Sequence, residues 1–530
     1  MEQLVRKHPC NIVDTFINEP FPNANNLPQR HLVRAELERF FKAATETILV
    51  LNPDRVIKSV DGDYDPPTFG LPDNHCYTAW YNSHGETMGE LAAGFWTPIK
   101  KGWNYACGEY GCEGLDPIET MYKEYPKQWL PESPDDDWSP INISLEQSSN
   151  FHYQYFDTPR TLRGWVKASQ DYQAFATKWM TESFRRQENM ISTVLHIFID
   201  HFPAGWMKAV VDVDRNAKPA FFAYRDALTP TMISFKPSRL SFNEGETASV
   251  ETWVCNDLSE SFTDYSLCYE VMHEGDIIGK GIKDINIHAC ASDYVGDISF
   301  NTNGLEGAVT VRCALLDESK NVVHYNETVL KVAKVNENLN GTNIFTDEEK
   351  DSKELLQPFT NFTRTNEIPN ANTIIINNFA AFTAKQAELL DRVKAGAKMV
   401  FYNLKPGDYT ILKESVTIKP CGMLPVNFVS RATNHKLIDG FDADDFRFWF
   451  DEAKKIITPI LDNTFISENK DFDEILTSAN MNSKGEWRPE LACGEKKYGQ
   501  GFIIICNLDL NNRLNTNPAA LKFAKRLIEV

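Results

Sequence analysis

The 530-residue sequence has no unbroken run of the roughly 18 apolar residues that a membrane helix requires, so no stretch of it reads as a membrane span. Its first residues, Met1-Glu2-Gln3-Leu4-Val5-Arg6-Lys7, lack the apolar segment of a secretory leader. There is no fixed-period repeat and no low-complexity tract. Positive charge is the scarcer sign, with 54 Lys and Arg against 74 Asp and Glu, a formal net charge of −20. An acidic surface repels phosphate backbones and anionic lipid, so nucleic acid and membrane are not expected as partners. The cysteine count, 11, is odd, which rules out a fully paired disulfide framework. No CxxC pair, no zinc-like Cys/His spacing and no Gly-x-Cys-x-Gly elbow occurs. Reduced, buried thiols are expected, with Cys421 and Cys506 structural. Neither metal nor cofactor is called for, and the compartment stays open.

What is present is an ordinary globular composition of a length that suggests three or four domains. Trp and Tyr cluster in the first 210 residues, suited to stacking on sugar rings or to large cores. A helix end at 1–7 precedes a β-branched, aromatic strand, Ile12 to Ile17, that ends on Asn18-Glu19 and is stopped by Pro20. A helix follows over 30–52, then a short strand at 56–59. The loop Asp61-Gly62-Asp63-Tyr64-Asp65 resembles a calcium loop only until Pro72, which stands where the closing Glu should be, so it reads as a solvated turn. A strand and exit loop at 73–81, a helix at 86–95 and a strand at 103–109 come next. A long loop covers 115–160, a helix 161–187 and an apolar strand 191–199, before the unit closes near 218–224. This α/β alternation predicts a parallel sheet or (β/α)8 barrel, with polar and aromatic residues gathered after the strands.

From Thr231 to about Lys334 apolar residues recur at every second position, for example Ala248, Val250, Thr252 and Val254, which predicts an antiparallel β-sandwich. Residues 335–370 read partly as a linker. The last domain is α/β again. Its strands lie at 373–377, 398–403 and 502–506. One helix over 383–396 carries a Thr383/Gln386 capping box, and a final helix is capped by Asn517 and opened by Pro518. A small doubly wound sheet is expected.

The chemistry centres on Cys107-Gly108-Glu109-Tyr110-Gly111, a strand ending on a carboxylate between two glycines. Glu19 is a second strand-end carboxylate, 90 residues earlier. At about 30 residues per βα unit that is three units, which sets the two across a barrel mouth from each other. Paired carboxylates in that position are the minimal set for glycoside hydrolysis.

With His8-Pro9 followed by Asn18-Glu19, then Asp73 to Tyr81, then Gly108-Glu109-Tyr110-Gly111, and last Asp200 to Trp206 with Asp212 and Lys218-Pro219-Ala220, residues 1–230 resemble glycoside hydrolase family 2. That family includes β-galactosidases, β-mannosidases and β-glucuronidases. The resemblance implies retaining hydrolysis of a terminal β-glycoside, most of all a β-galactoside, with β-mannosidase or another β-glycosidase as the alternative. Glu109 would be the nucleophile and Glu19 the acid/base, holding a proton at rest. Asn18 would bond the sugar 2-hydroxyl, Tyr77 would support Glu109, and His75, Trp80 and Trp206 would line the sugar subsite. His75 and His196 read equally as core histidines, Trp80 and Trp206 more often as wall packing than as stacking platforms, and Glu113 as a solvated second acid. The sequence departs from the family pattern at His196, Asp14 and Ile17, and it lacks the Asn-x-Lys pair of a glucuronidase near Trp206-Met207-Lys208. Met1 falls just before the fourth barrel strand, so the resemblance implies the C-terminal part of a longer enzyme, or a remnant with only a sugar-binding or assembly role. The expected fold is therefore multidomain α/β plus β. A partial (β/α)8 TIM barrel (strands 4–8) occupies 1–230, an immunoglobulin-like β-sandwich 231–335 and a flavodoxin-like doubly wound domain 336–530. The last resembles the glutamine amidotransferase-like modules of such enzymes, without a catalytic Cys. An oligo- or polysaccharide is the expected partner, and a homo-oligomer is compatible.

Overall fold

The computed structural model describes residues 2–20, 33–62, 64, 70–79, 86–95, 102–143, 155–203, 207–421, 426–481 and 487–529. The first unit begins with α1 (Glu2–Val5) and β1 (Val13–Asn18), continues through α2 (Arg34–Leu51) and returns in β2 (Val56–Asp61). β1 and β2 pair in parallel, Val13 with Val56 through Asn18 with Asp61. Leu37 and Phe41 on one stripe of α2 close over Phe16 and Val60, as the 3.6-residue period requires. Arg55, buried, pairs with the buried Glu2 at 3.1 Å and ties α1 to the start of β2.

The stretch after β2 pairs on both sides. Leu71 N–H donates to Ile57 O on β2. Asp73 and Cys76 form parallel bridges to Ala106 and Tyr110 of β3 (Tyr105–Tyr110), which is preceded by α3 (Met88–Ala93). Residues 73–81 were expected as a strand and exit loop; among the described residues the strand part forms isolated bridges, including one of Asp73 to Tyr64, and 80–81 lie outside the described residues. Asp73 and His75 instead turn their side chains back to β2, into the ionic cluster described below. The loop expected over 115–160 carries α4 (Ile118–Glu124). α5 (Leu162–Arg185) is capped by Thr161, whose Oγ1 accepts from Gly164 N–H. β4 (Met190–Leu195) then pairs in parallel with β3. The apolar run to Ile199 was expected to continue the strand. It stops at Leu195, because β3 has ended at Tyr110 and offers no further ladder. A parallel bridge of Ile199 to Val211 and α6 (Pro219–Ala227) complete the unit. Neighbours follow chain order throughout, so the strands form a singly wound arc with carboxylates at its C-terminal ends.

Eight strands make the middle domain: β5 (Thr231–Pro237), β6 (Ser241–Asn243), β7 (Thr247–Asn256), β8 (Phe262–His273), β9 (Asp276–Ile287), β10 (Ala291–Asn301), β11 (Gly307–Leu316) and β12 (Val322–Ala333). They form two sheets, β10-β7-β5 and β6-β12-β11-β8-β9. Val309, Val311, Cys313 and Leu315 of β11 are buried at every second position against Ala248, Val250 and Val254 of β7, the alternation of a packed two-sheet sandwich.

The C-terminal domain opens with β13 (Asn338–Thr346), α7 (Lys350–Leu356) and β14 (Thr360–Arg364). The segment read as partly a linker is therefore structured. Its apolar residues are few, but Leu339, Ile344 and Leu355 are buried. Next come β15 (Thr373–Ile376), α8 (Phe379–Ala384), α9 (Gln386–Lys394), β16 (Lys398–Tyr402), β17 (Gly407–Ile411), β18 (Glu414–Pro420), β19 (Phe450–Asp451), β20 (Ile456–Ile457), β21 (Asn463–Ser467), β22 (Asp473–Met481), β23 (Trp487–Tyr498), β24 (Gly501–Cys506) and α10 (Pro518–Ile528). One mixed sheet runs β14-β13-β15-β16-β24-β23-β21-β18-β17. Its first five strands are parallel, in the spatial order second, first, third, fourth, fifth, one of the two common orders of doubly wound sheets. The rest are antiparallel. Two helix caps differ from expectation. The helix over 383–396 is two helices; Asn378 caps the first, while Thr383 Oγ1 donates to Phe379 O inside it. Asn517 stands at the N-cap position of α10, but its amide is spent on Phe450 N–H and O and on Arg513 O.

Candidate active site

Three strand ends converge. The β1–β2 ladder runs one residue past Asn18, with Glu19 N–H donating to Asp61 O at 2.9 Å. Glu19 itself adopts φ +47°, the left-handed region that turns its side chain out of the strand direction. On β3 the period of two separates neighbours. Tyr110 points outward and bonds Thr181 of α5 at 2.7 Å, so Glu109 points to the opposite face. β3 shifts register between Cys107 and Tyr110, so Gly108 also faces the site, and a Cβ there would come within 1.6 Å of Asp61 Oδ1.

His75 joins the carboxylates. Its Nδ1 lies 2.8 Å from Glu19 Oε1 and 3.5 Å from Glu109 Oε2, and its Nε2 lies 3.3 Å from Asp61 Oδ1. Burial alone would lower its pKa. The hydrogen bonds to Asp61 and Glu19, with Glu109 and Asp73 close by, outweigh that and push it up to about 10. The ring is therefore an imidazolium at neutral pH and donates from both nitrogens. Lys58 supports the same array, 3.2 Å from Asp61 and 3.0 Å from Asp73. Burial raises Asp73 to about 6 despite Lys58. Burial would raise Asp61 too, but His75 and Lys58 hold it below its usual value.

Tyr77 OH donates a short hydrogen bond to Glu109 Oε2. Burial first, and then Glu109, push the phenol far above its usual range, so it remains a donor. The Lys208 ammonium sits 4.2 Å above the Tyr77 ring, and burial lowers it to about 7 against the pull of Glu113, Glu109 and Glu19. His196 Nε2 lies 4.0 Å from Glu109. Burial, Lys208 and His75 bring His196 down to about 4, so it is neutral.

One oxygen of Glu19, one of Glu109 and a ring nitrogen of His75 all lie within 4.8 Å of one another, as do single atoms of Asp61, Asp73 and His75. Either trio has the spacing of a metal site, and a metal bound there would have to displace a proton from His75. What the arrangement can do is present two closely spaced carboxylates, held by one imidazolium, to a single ligand.

Of the residues expected from sequence, Glu19, Glu109, His75 and Tyr77 come together. Asn18 ends β1 beside Glu19 with its side chain exposed. Trp80 and Trp206 lie outside the described residues. Two expectations are corrected. Asp61 is not part of a solvated turn but the hub between Lys58 and His75, because β2 runs two residues beyond Ser59 and delivers it. Glu113 is not solvated; it is 6% exposed and faces Lys208. Lys58, Asp61, Asp73 and Lys208 were not singled out. Only Asp61 carried a signal, as a third strand-end carboxylate.

The sequence matches no protein-family model, and no curated protein matches it. Among solved structures it is similar to a β-D-mannosidase from Dictyoglomus thermophilum, at 17% identity over 62% of this chain and 39% of that one, with a TM-score of 0.46. It is also similar to an exo-chitosanase from Amycolatopsis orientalis, at 12% identity over 62% and 37%, TM-score 0.41. A β-glucuronidase from Parabacteroides merdae gives 13% identity over 64% and 41%, TM-score 0.28. The chain thus spans well under half the length of each. Overlap at this level is partial likeness of architecture and transfers no chemistry.

Proposed function

We propose that the protein is, or is part of, a retaining exo-β-glycosidase that acts on terminal non-reducing sugars of an oligo- or polysaccharide. The observation that carries this reading is the approach of Glu19 and Glu109 to within 4.8 Å, oxygen to oxygen, beside Nδ1 of His75. Retaining enzymes hold their carboxyl groups about 5–5.5 Å apart, and inverting ones leave a wider gap for water. Glu109, oriented by the Tyr77 hydroxyl, attacks the anomeric carbon. Glu19 gives its proton to the leaving oxygen and then takes one from water. Asn18 bonds the 2-hydroxyl at the rim. We put a β-galactoside first and a β-mannoside as the alternative, on the sequence motifs alone. We read the arc as part of a (β/α)8 barrel, the middle domain as immunoglobulin-like, and the C-terminal domain as a flavodoxin-like module without catalysis of its own.

The test is a panel of nitrophenyl β-glycosides with the protein, Glu109→Gln and Glu19→Gln, with the anomer first released followed by NMR. One glycoside should be hydrolysed with retention, and Glu109→Gln should lose at least about 1,000-fold in kcat. Inversion, or full activity in Glu109→Gln, would overturn the assignment.

A further inference from the structure

β23 and β24 meet where the antiparallel half of the C-terminal sheet joins the parallel half. Their register sets Cys493 directly opposite Cys506, without a shift from that pair to the turn at Gly499-Gln500. The next pair outward is hydrogen-bonded, with Asn507 N–H donating to Ala492 O at 2.9 Å. Bonded and non-bonded pairs alternate along an antiparallel ladder, so Cys493 and Cys506 are a non-hydrogen-bonded pair. Such pairs hold their α-carbons about 4.5 Å apart with the side chains on one face. A disulfide spans α-carbons about 4.4–6.8 Å apart. Both side chains are fully buried in the same core cluster, beside α10.

We propose that Cys493 and Cys506 are a disulfide site, oxidised by exchange with a small-molecule disulfide such as glutathione disulfide. The thiolate of one cysteine attacks glutathione disulfide and releases one glutathione. The thiolate of the other then displaces the second. One S–S bond forms in the protein and one is broken in the oxidant; the two protons end on two reduced glutathiones. The bond joins β23 to β24, and β24 pairs with β16 on its other edge, so the staple links the two halves of the sheet. Burial, and then the adjoining Cys506 thiol, keep the Cys493 thiol well above its usual range. Exchange is therefore slow in the closed domain and proceeds when the hairpin opens.

The full chain, reduced, is incubated with glutathione disulfide in urea just below the onset of unfolding. It is then denatured, blocked with iodoacetamide, digested without reductant and mapped by mass spectrometry. The expected result is one peptide linking Cys493 to Cys506, lost on treatment with dithiothreitol. Amide exchange in β23 and β24 should be at least tenfold slower in the oxidised chain. Should the Cys506→Ser control fail to fold, Cys493→Ala replaces it; in either, the linked peptide disappears. Alkylation of both cysteines, glutathione adducts alone, or a link to Cys421 of the same core would overturn the proposal.

Discussion

His75 touches groups from three parts of the arc, and its charge follows from them. Two hydrogen-bonded carboxylates and two nearby ones raise its pKa from 6.5 to about 10. A raised pKa means that the stabilisation is fully present below about pH 6.5 and is lost as pH rises through about 10. Lys208 acts in the opposite direction over an overlapping range: lowered to about 7, it disfavours the folded state below that pH, and the cost fades toward 10.5. Comparing the protein with His75→Gln at each pH cancels the lysine. The gap between their urea midpoints should be widest below pH 6.5 and close above pH 10; a constant gap would mean that His75 does not titrate in this window. Tyr77 acts on one partner. Tyr77→Phe removes a hydrogen bond to a charged group, worth about 1.5–3 kcal/mol. On the proposed glycosidase reading the bond positions Glu109 for attack, so kcat falls about 10–100-fold with KM little changed, as initial rates on a hydrolysed nitrophenyl glycoside would read. A change in KM alone would make Tyr77 a binding residue instead.

At the scale of elements, strands that end on a carboxylate were readable because period-two burial and the stop signals Pro20 and Gly111 are local properties of the sequence. Glu19 and Glu109 were found this way, while Tyr77 came from the family resemblance of residues 73–81. Lys58, Asp73 and Lys208 were not found, because a lone charged side chain becomes a site residue only when neighbouring segments bring its partners to it. The Thr383 and Asn517 caps failed for a related reason: each side chain had a second acceptor or donor in reach, and tertiary contact decided. Gly108 sits between the two kinds of information. The glycine is visible in the sequence, but its necessity lies in Asp61, 1.6 Å from where a Cβ would stand. Gly108→Ala should swing the Asp61 carboxylate off His75 at a cost of about 1–3 kcal/mol, lowering the His75 pKa in an NMR titration. The double variant Gly108→Ala/Asp61→Ala removes the nearer clash, leaving Asp73 Oδ1 at 2.9 Å, and should recover part of the urea midpoint but not the pKa. Recovery of neither would place the strain in the backbone of β3.

Across the whole molecule, the arc is joined to the sandwich by a carboxylate rather than by apolar contact alone. Glu182 of α5 is 5% exposed. It accepts from Ser234 Oγ of β5 at 2.8 Å and from Asn326 Nδ2 of β12 at 3.1 Å. Lys178, one turn earlier on α5, lies 3.6 Å from the same carboxylate and donates to Asn326 Oδ1. Such a network holds two domains in one orientation because its donors and acceptors come from both and are paired across the joint. Removing the carboxylate leaves two buried donors unsatisfied, at about 1–3 kcal/mol each. Glu182→Ala should therefore lower the stability of the joined arc and sandwich by about 3 kcal/mol and split their calorimetric transition in two. Asn326→Ala removes the same contact from the other side, so the two losses should not add. The double variant should fall short of their sum by about 1 kcal/mol or more, the mark of residues that share one network. Full additivity would show that the domains are held together by the apolar surface around Glu182 and not by the carboxylate.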